Sequence, residues 1–296
     1  MASPPPPGTH QPPEILPPDR EGVSAQPVSA QPWNRPEREQ AAPRPASRKG
    51  WAYSPATYTL VGINCAVFVA MVLNRVSIMG PTGQQLFQWG ATHPEAVLYG
   101  GQWWRVITAM FVHVGIIHLA TNMWCLWNLG LLGEPLLGPF GVFSAYILSG
   151  AAGNLLSIGV GMYKHQGGVV GAGASGAVFG LAGVLIVLLK SPRLPIPPKE
   201  LSALRRNVIY FAVLNFVIGF GGNQLRLGVN IDNMAHLGGF LGGILFALPM
   251  IPRIGSPRPS FLLRRRLAVG LMSCVLIFFG VYLSAVFPVP AGLTQQ

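Results

Sequence analysis

The chain has 296 residues, half of them hydrophobic and only 10% charged, with a mean hydropathy of +0.44. That balance excludes an ordinary soluble enzyme and points to a membrane protein with several spans. The net charge of +11 would suit a nucleic-acid binder, but the cations cluster between apolar runs as they do in cytoplasmic loops, so nucleic acid is not an expected partner.

Residues 1–50 are rich in Pro, Gln, Glu, Arg and small side chains, beginning with Pro4-Pro5-Pro6-Pro7. They offer almost nothing to bury and read as a disordered cytoplasmic tail. No apolar core follows the first Met, so the segment does not read as a signal peptide. Apolar runs long enough to cross a bilayer follow near 56–74, 114–132, 139–161, 170–190, 206–222, 231–251 and 267–287. The long connection 75–113 is too polar to span, yet it carries Trp89, Trp103 and Trp104 and is expected partly in the interface. Cys65, Cys125 and Cys274 lie inside apolar runs and read as small buried hydrophobes, with no disulfide framework.

Basic residues flank the first run (Arg35, Arg38, Arg44, Arg48, Lys49), join the fourth to the fifth (Lys190, Arg193, Lys199, Arg205, Arg206) and join the sixth to the seventh (Arg253, Arg258, Arg264, Arg265, Arg266). The opposite side carries only Arg75, Arg105, Lys164 and Arg226. This asymmetry places the N-terminus in the cytoplasm and, with seven spans, the C-terminus outside.

Ionisable and polar residues inside spans are costly and are functional candidates. The second run holds His118 and Asn122, four apart and so on one helical face. The fourth opens Gly171-Ala172-Gly173-Ala174-Ser175-Gly176, in which Ser175 is the only polar side chain. The sixth holds His236, with Asp232 one turn before it. All three runs enter from the outer side. His118, Ser175 and His236 are each expected about five residues in, at a common depth of roughly 7 Å. Gly176-xxx-Gly180 and Ala235-xxx-Gly239-xxx-Gly243 are small-residue faces that let two membrane helices approach closely. A Ser hydroxyl is a poor nucleophile until a base takes its proton, and His236 is the one plausible base nearby. Helix N-termini favour a developing anion, and His118 and Asn122 are natural donors to an oxyanion beside the Ser175 N–H.

These residues resemble the rhomboid family of intramembrane serine proteases. The matches are Trp104-Arg105, His113-x4-His118-x3-Asn122, Gly173-Ala174-Ser175-Gly176 and Ala235-His236-x2-Gly239-x3-Gly243, covering about 51–251. The resemblance implies an all-α polytopic fold with a rhomboid-like six-helix catalytic core at 51–251. Residues 252–296 would then be a cytoplasmic loop and an extra C-terminal transmembrane helix. It implies a Ser175–His236 dyad and an oxyanion site from His118, Asn122 and the Ser175 backbone, with Gly173 shaping that site. Phe179 would stack under His236 at a position where many members carry Tyr. Glu134 resembles the acidic residue that ties helix ends together at the inner face, and the first outer loop would be a wedge embedded in the membrane. The implied substrates are transmembrane segments of other proteins in the same bilayer, cut near the outer face, with no cofactor. The cramped, glycine-walled site adds an expectation of small residues at the cut and of helix-weakening Gly or Pro nearby. The expected home is the bacterial inner membrane.

Blander readings stand beside these. Asp232 tempts one towards a Ser–His–Asp triad, but on the same helix it more simply pairs with Arg226 or water. His113 reads as a structural hydrogen bond at the loop-to-helix junction, and Trp104-Arg105 as a headgroup anchor. His113, His118 and His236 could form a three-His metal set, but no HExxH and no zinc-spaced cysteine pair is present, so none is expected. The alternative function is a catalytically inactive rhomboid-like protein that binds membrane helices for quality control. A transporter is a third reading, disfavoured because no repeat relates the halves and the polar groups lie near one face.

Overall fold

The computed structural model describes residues 53–191, 194, 196–224, 232–253 and 258–290. The tail assigned to 1–50, its basic cluster, and Arg226 lie outside the described residues. Among those described, every regular element is helical, with one isolated antiparallel bridge between Thr92 and Gly171.

The long helices are α1 (Pro55–Leu73), α5 (Ile116–Leu137), α6 (Pro139–Tyr163), α7 (Ser175–Leu188), α8 (Pro198–Gln224), α9 (Asn233–Ala247) and α10 (Arg258–Val286). The connection after α1 holds three short ones: α2 (Gly83–Gln88), α3 (Pro94–Leu98) and α4 (Arg105–Thr108). Four stretches are long and apolar enough to cross a bilayer alone: α1, α6, α10, and α9 with the turn that follows it. A fifth results if α4, its following turn and α5 are counted as one span across a 95° bend. The protein is an integral membrane protein with a helical polytopic fold.

The expectation of an apolar span at 170–190 is corrected in one respect. Helix α7 starts only at Ser175 and has 14 residues, a rise of about 21 Å against a hydrocarbon core of about 30 Å. Residues 171–173 are instead paired with the first loop, through the Thr92–Gly171 bridge and a Gly173 N–H to Ala109 carbonyl bond of 2.9 Å. Backbone groups committed to that loop cannot also join a helical ladder. Helix α8 begins earlier than the apolar run at 206–222. Lys199, Glu200, Arg205 and Arg206 lie in its first turns, and α8 is not among the stretches apolar enough to span alone.

Helix α9 is the centre of the bundle. On one face Gly239 and Gly243 lie directly on the carbonyl oxygens of Gly176 and Gly180 of α7, so a Cβ at either would overlap the backbone. On another face Gly238 meets Ala152 and Gly153 of α6. Lipid tails are as apolar as Leu, so helices associate in a membrane by close packing of this kind.

One end of the bundle is tied by Glu134, which is buried. Its Oε1 accepts the Ala56 N–H at 2.9 Å, and its Oε2 accepts the Thr57 N–H at 2.8 Å and the Thr57 hydroxyl at 2.7 Å. A carboxylate near the end of α5 thus satisfies the orphan amides that begin α1. Arg265 of α10 reaches the same end, donating to the Leu137 carbonyl at 2.6 Å.

The opposite end carries the starts of α5, α7 and α9 and the loop with α2, α3 and α4. Arg105 holds that loop together from inside. It is buried, donating from Nε to Gln102 at 2.6 Å and from Nη1 to the carbonyls of Phe87 at 2.6 Å and Ala91 at 3.0 Å. Its guanidinium lies 3.6 Å from the Phe87 ring centre and 4.4 Å from that of Trp104. Only Trp104, half exposed, faces outward from the pair expected at the headgroups. Asn154 of α6 donates to the Val106 carbonyl at 2.8 Å and pins the loop to the bundle.

Candidate active site

Ser175 is the first residue of α7, not five residues inside it. The residue before it, Ala174, has no side-chain acceptor, and the start of α7 has no side-chain cap. Its first-turn N–H groups therefore point out of the helix end unclaimed by a capping side chain. Helix α9 is treated differently. Asp232 precedes it, and its Oδ1 accepts the N–H groups of Met234 at 3.1 Å and Ala235 at 2.9 Å.

His236 lies in the first turn of α9 and is buried. Its ring stacks on Phe179, with centroids 4.3 Å apart and planes 13° from parallel. Phe179 is one turn after Ser175 and shares its face of α7. The helices meet beside both residues: a Cβ on Gly176 would come within 3.2 Å of the Ala235 carbonyl. Among the described residues no hydrogen bond joins Ser175 to His236. Such bonds are often long in a ligand-free site and tighten only around substrate. Among the described residues the buried Nδ1 of His236 has no hydrogen-bond partner.

His118 is in the first turn of α5 and its ring covers Gly173. A Cβ at Gly173 would stand 2.6 Å from His118 Cε1, and the φ of +134° there is one that residues with a side chain rarely adopt. Val114 N–H donates to His118 Nδ1 across 3.5 Å. That long contact makes Nδ1 the acceptor and leaves Nε2, beside Gly173, as the N–H donor. Asn122, one turn further on, is buried, and its Nδ2 donates to the His118 carbonyl at 3.0 Å. That bond uses one of its two amide hydrogens.

Among the described residues no hydrogen bond joins the Asp232 carboxylate to the His236 ring. The Oδ1 of Asp232 is taken by the cap, and its Oδ2 accepts the Ser157 hydroxyl at 2.5 Å. His113 is fully buried, with Nδ1 3.4 Å from the Phe111 carbonyl and its ring edge-on to His118 at 5.4 Å between centroids. Among the described residues no three His, Cys, Asp or Glu side chains gather as a metal would need.

Sequence reasoning missed the residues that hold this end in shape. Thr92 and the Ala109 carbonyl grip the lead-in to Ser175, and Ser157 fixes Asp232. Thr92 lies between Ala91 and His93 and Ser157 between Leu156 and Ile158, and nothing local marks either for this role. The one available signal was the capping pattern of Asp232 directly before a helical run.

The family model of the rhomboid domain matches residues 100–253. Rhomboid protease GluP of Bacillus subtilis is 31% identical over 220 residues, 73% of this chain and 39% of that protein. RHOMBOID-like protein 5 of Arabidopsis thaliana is 33% identical over 62% of this chain and 56% of its own length. Rhomboid-like protease 2 of Toxoplasma gondii is 28% identical over 73% of this chain and 75% of its own length. The chain thus spans 39% and 56% of the length of the first two relatives. With the matched domain taking in α5, α7 and α9 and more than half of the sequence, the protein belongs to the rhomboid family.

Proposed function

We propose that the protein is an intramembrane serine endopeptidase that cleaves transmembrane segments of other membrane proteins near the outer face of the bilayer. The observation that carries this reading is the His236 ring stacked on Phe179, one turn beyond Ser175, where α7 and α9 touch backbone to backbone. His236 takes the Ser175 proton, and Oγ attacks the scissile carbonyl. The oxyanion that forms receives the Ser175 N–H, the positive end of α7, the Nε2–H of His118 and the second amide hydrogen of Asn122. His236 then protonates the leaving amine, and water hydrolyses the acyl enzyme. The dyad needs no metal or cofactor. The seven apolar runs would all cross the membrane, with the N-terminus cytoplasmic and the site facing outward, in a bacterial inner membrane.

The test is labelling of the full chain in membranes with a fluorophosphonate. Native protein should label and Ser175→Ala should not. A native protein that stays unlabelled would favour a helix-binding relative without catalysis. Asp232 offers a second check. Asp232→Asn keeps an oxygen for the helix cap and an amide for Ser157, so cleavage should remain within about threefold of native. A true triad acid would cost about ten-thousand-fold on the same change.

A further inference from the structure

We infer that Thr92, in the first outer loop, is a positioning residue for Ser175, an inference that rests on the hydrolase reading above. Thr92 and Gly171 are bonded in both directions. The Thr92 N–H donates to the Gly171 carbonyl at 2.8 Å, the Gly171 N–H donates to the Thr92 carbonyl at 3.0 Å, and the Thr92 hydroxyl donates to the Gly171 carbonyl at 3.0 Å. Thr92 is 4% exposed, so these groups have no water to fall back on. The fit depends on the missing side chain at 171. A Cβ there would stand 2.6 Å from Thr92 Oγ1 and 3.7 Å from Asp232 Oδ2. Two residues on, the Gly173 N–H is held by the Ala109 carbonyl at 2.9 Å.

The loop thus grips both ends of the three-residue segment 171–173, which lies one residue ahead of the nucleophile. That segment seats the His118 ring on Gly173, and α7 begins after Ala174 with amides that no side chain caps. The start of α7 has no side-chain cap of its own, so the loop sets where those amides point. The clasp also adjoins Asp232, which caps the helix bearing His236. A shift at Gly171 therefore moves oxyanion donors relative to the reacting carbonyl, a displacement to which rates are steeply sensitive. A purely structural Thr92 would change the unfolding temperature and leave turnover of the folded protein alone.

The experiment compares Thr92→Ala, Thr92→Ser, Gly171→Ala and the double variant Thr92→Ala/Gly171→Ala, as full chains in liposomes. It reads the rate of fluorophosphonate labelling, kcat and KM on a single-span model substrate, and the thermal midpoint. Thr92→Ala should lower kcat and labelling about fivefold, the worth of one hydrogen bond, with KM unchanged, and Thr92→Ser should restore them. Gly171→Ala should cost about fiftyfold through misplacement. The double variant should return to the Thr92→Ala level, because the clashing hydroxyl is gone. Gly171→Ala at the native rate, a double variant as slow as Gly171→Ala, or a change confined to KM overturns the inference. Where Gly171→Ala does not fold, the Thr92→Ala and Thr92→Ser pair decides alone. Native protein that never labels overturns the hydrolase reading and this inference with it. Native labelling matched by all four variants overturns this inference only.

Discussion

Ser175→Ala, His236→Ala and the double variant are each expected to lower kcat/KM on a single-span model substrate by about a million-fold, the double no further than either single. The reason is that the two side chains perform one step. A hydroxyl with its proton in place barely attacks an amide, and an imidazole with no hydroxyl beside it has no proton to take. Removing either removes the whole step. What survives is the oxyanion donors, which lie on other residues: His118, Asn122 and the backbone of α7. His236 also packs on Phe179, so His236→Ala should lower the thermal midpoint by a few degrees, given about 1 kcal/mol for a stacked aromatic contact. Ser175→Ala removes one partly exposed oxygen and should leave the midpoint in place. The combination of unequal stability effects with equal kinetic effects is the signature sought. Independent, multiplying losses would mean that the two residues do not act on the same proton.

How much of this was legible in the sequence depends on the distance over which each feature is decided. Most long helices were readable because each contains an apolar run of spanning length, although α8 and α10 begin on charged turns that hydropathy leaves out. The glycine seam between α7 and α9 was readable from spacing alone, since residues four apart share a face. The start of α7 was not. A Gly-Ala-Gly-Ala lead-in is as apolar as the helix after it, and hydropathy cannot separate helix from extended chain. What decided the matter was Thr92, 79 residues away in sequence. Glu134, whose partners are amides 77 and 78 positions earlier, was legible only through the family resemblance and not from local spacing. Arg105 shows the converse error. A Trp-Arg pair in a membrane-proximal loop suits a headgroup anchor, but three carbonyl and amide oxygens of its own loop claim the guanidinium.

Gly173→Ala is expected to lower turnover by about a hundredfold to a thousandfold while Ser175 and His236 stay chemically intact. Two costs fall on the same atom. The backbone at 173 has a φ of +134°, which a residue with a Cβ resists, and that Cβ would be pushed to 2.6 Å from His118 Cε1. The chain has two ways to respond. It can rotate residue 173 out of its conformation, breaking the 2.9 Å bond to Ala109 and turning the amides that begin α7. Or it can displace the His118 ring, withdrawing the Nε2–H. Either response removes a donor from the place where the oxyanion forms, and one such donor is worth about 3 to 4 kcal/mol of transition-state stabilisation. Substrate binding along the rest of the site is untouched, so kcat should fall with KM nearly constant. Measuring both on the same model substrate, with His118→Ala alongside, separates the two responses. If the ring is what moves, His118→Ala and Gly173→Ala each cost a similar factor, and their combination costs little more. If the backbone turns, the losses multiply. A Gly173→Ala enzyme that works at the native rate would mean that the oxyanion is held somewhere other than the start of α7.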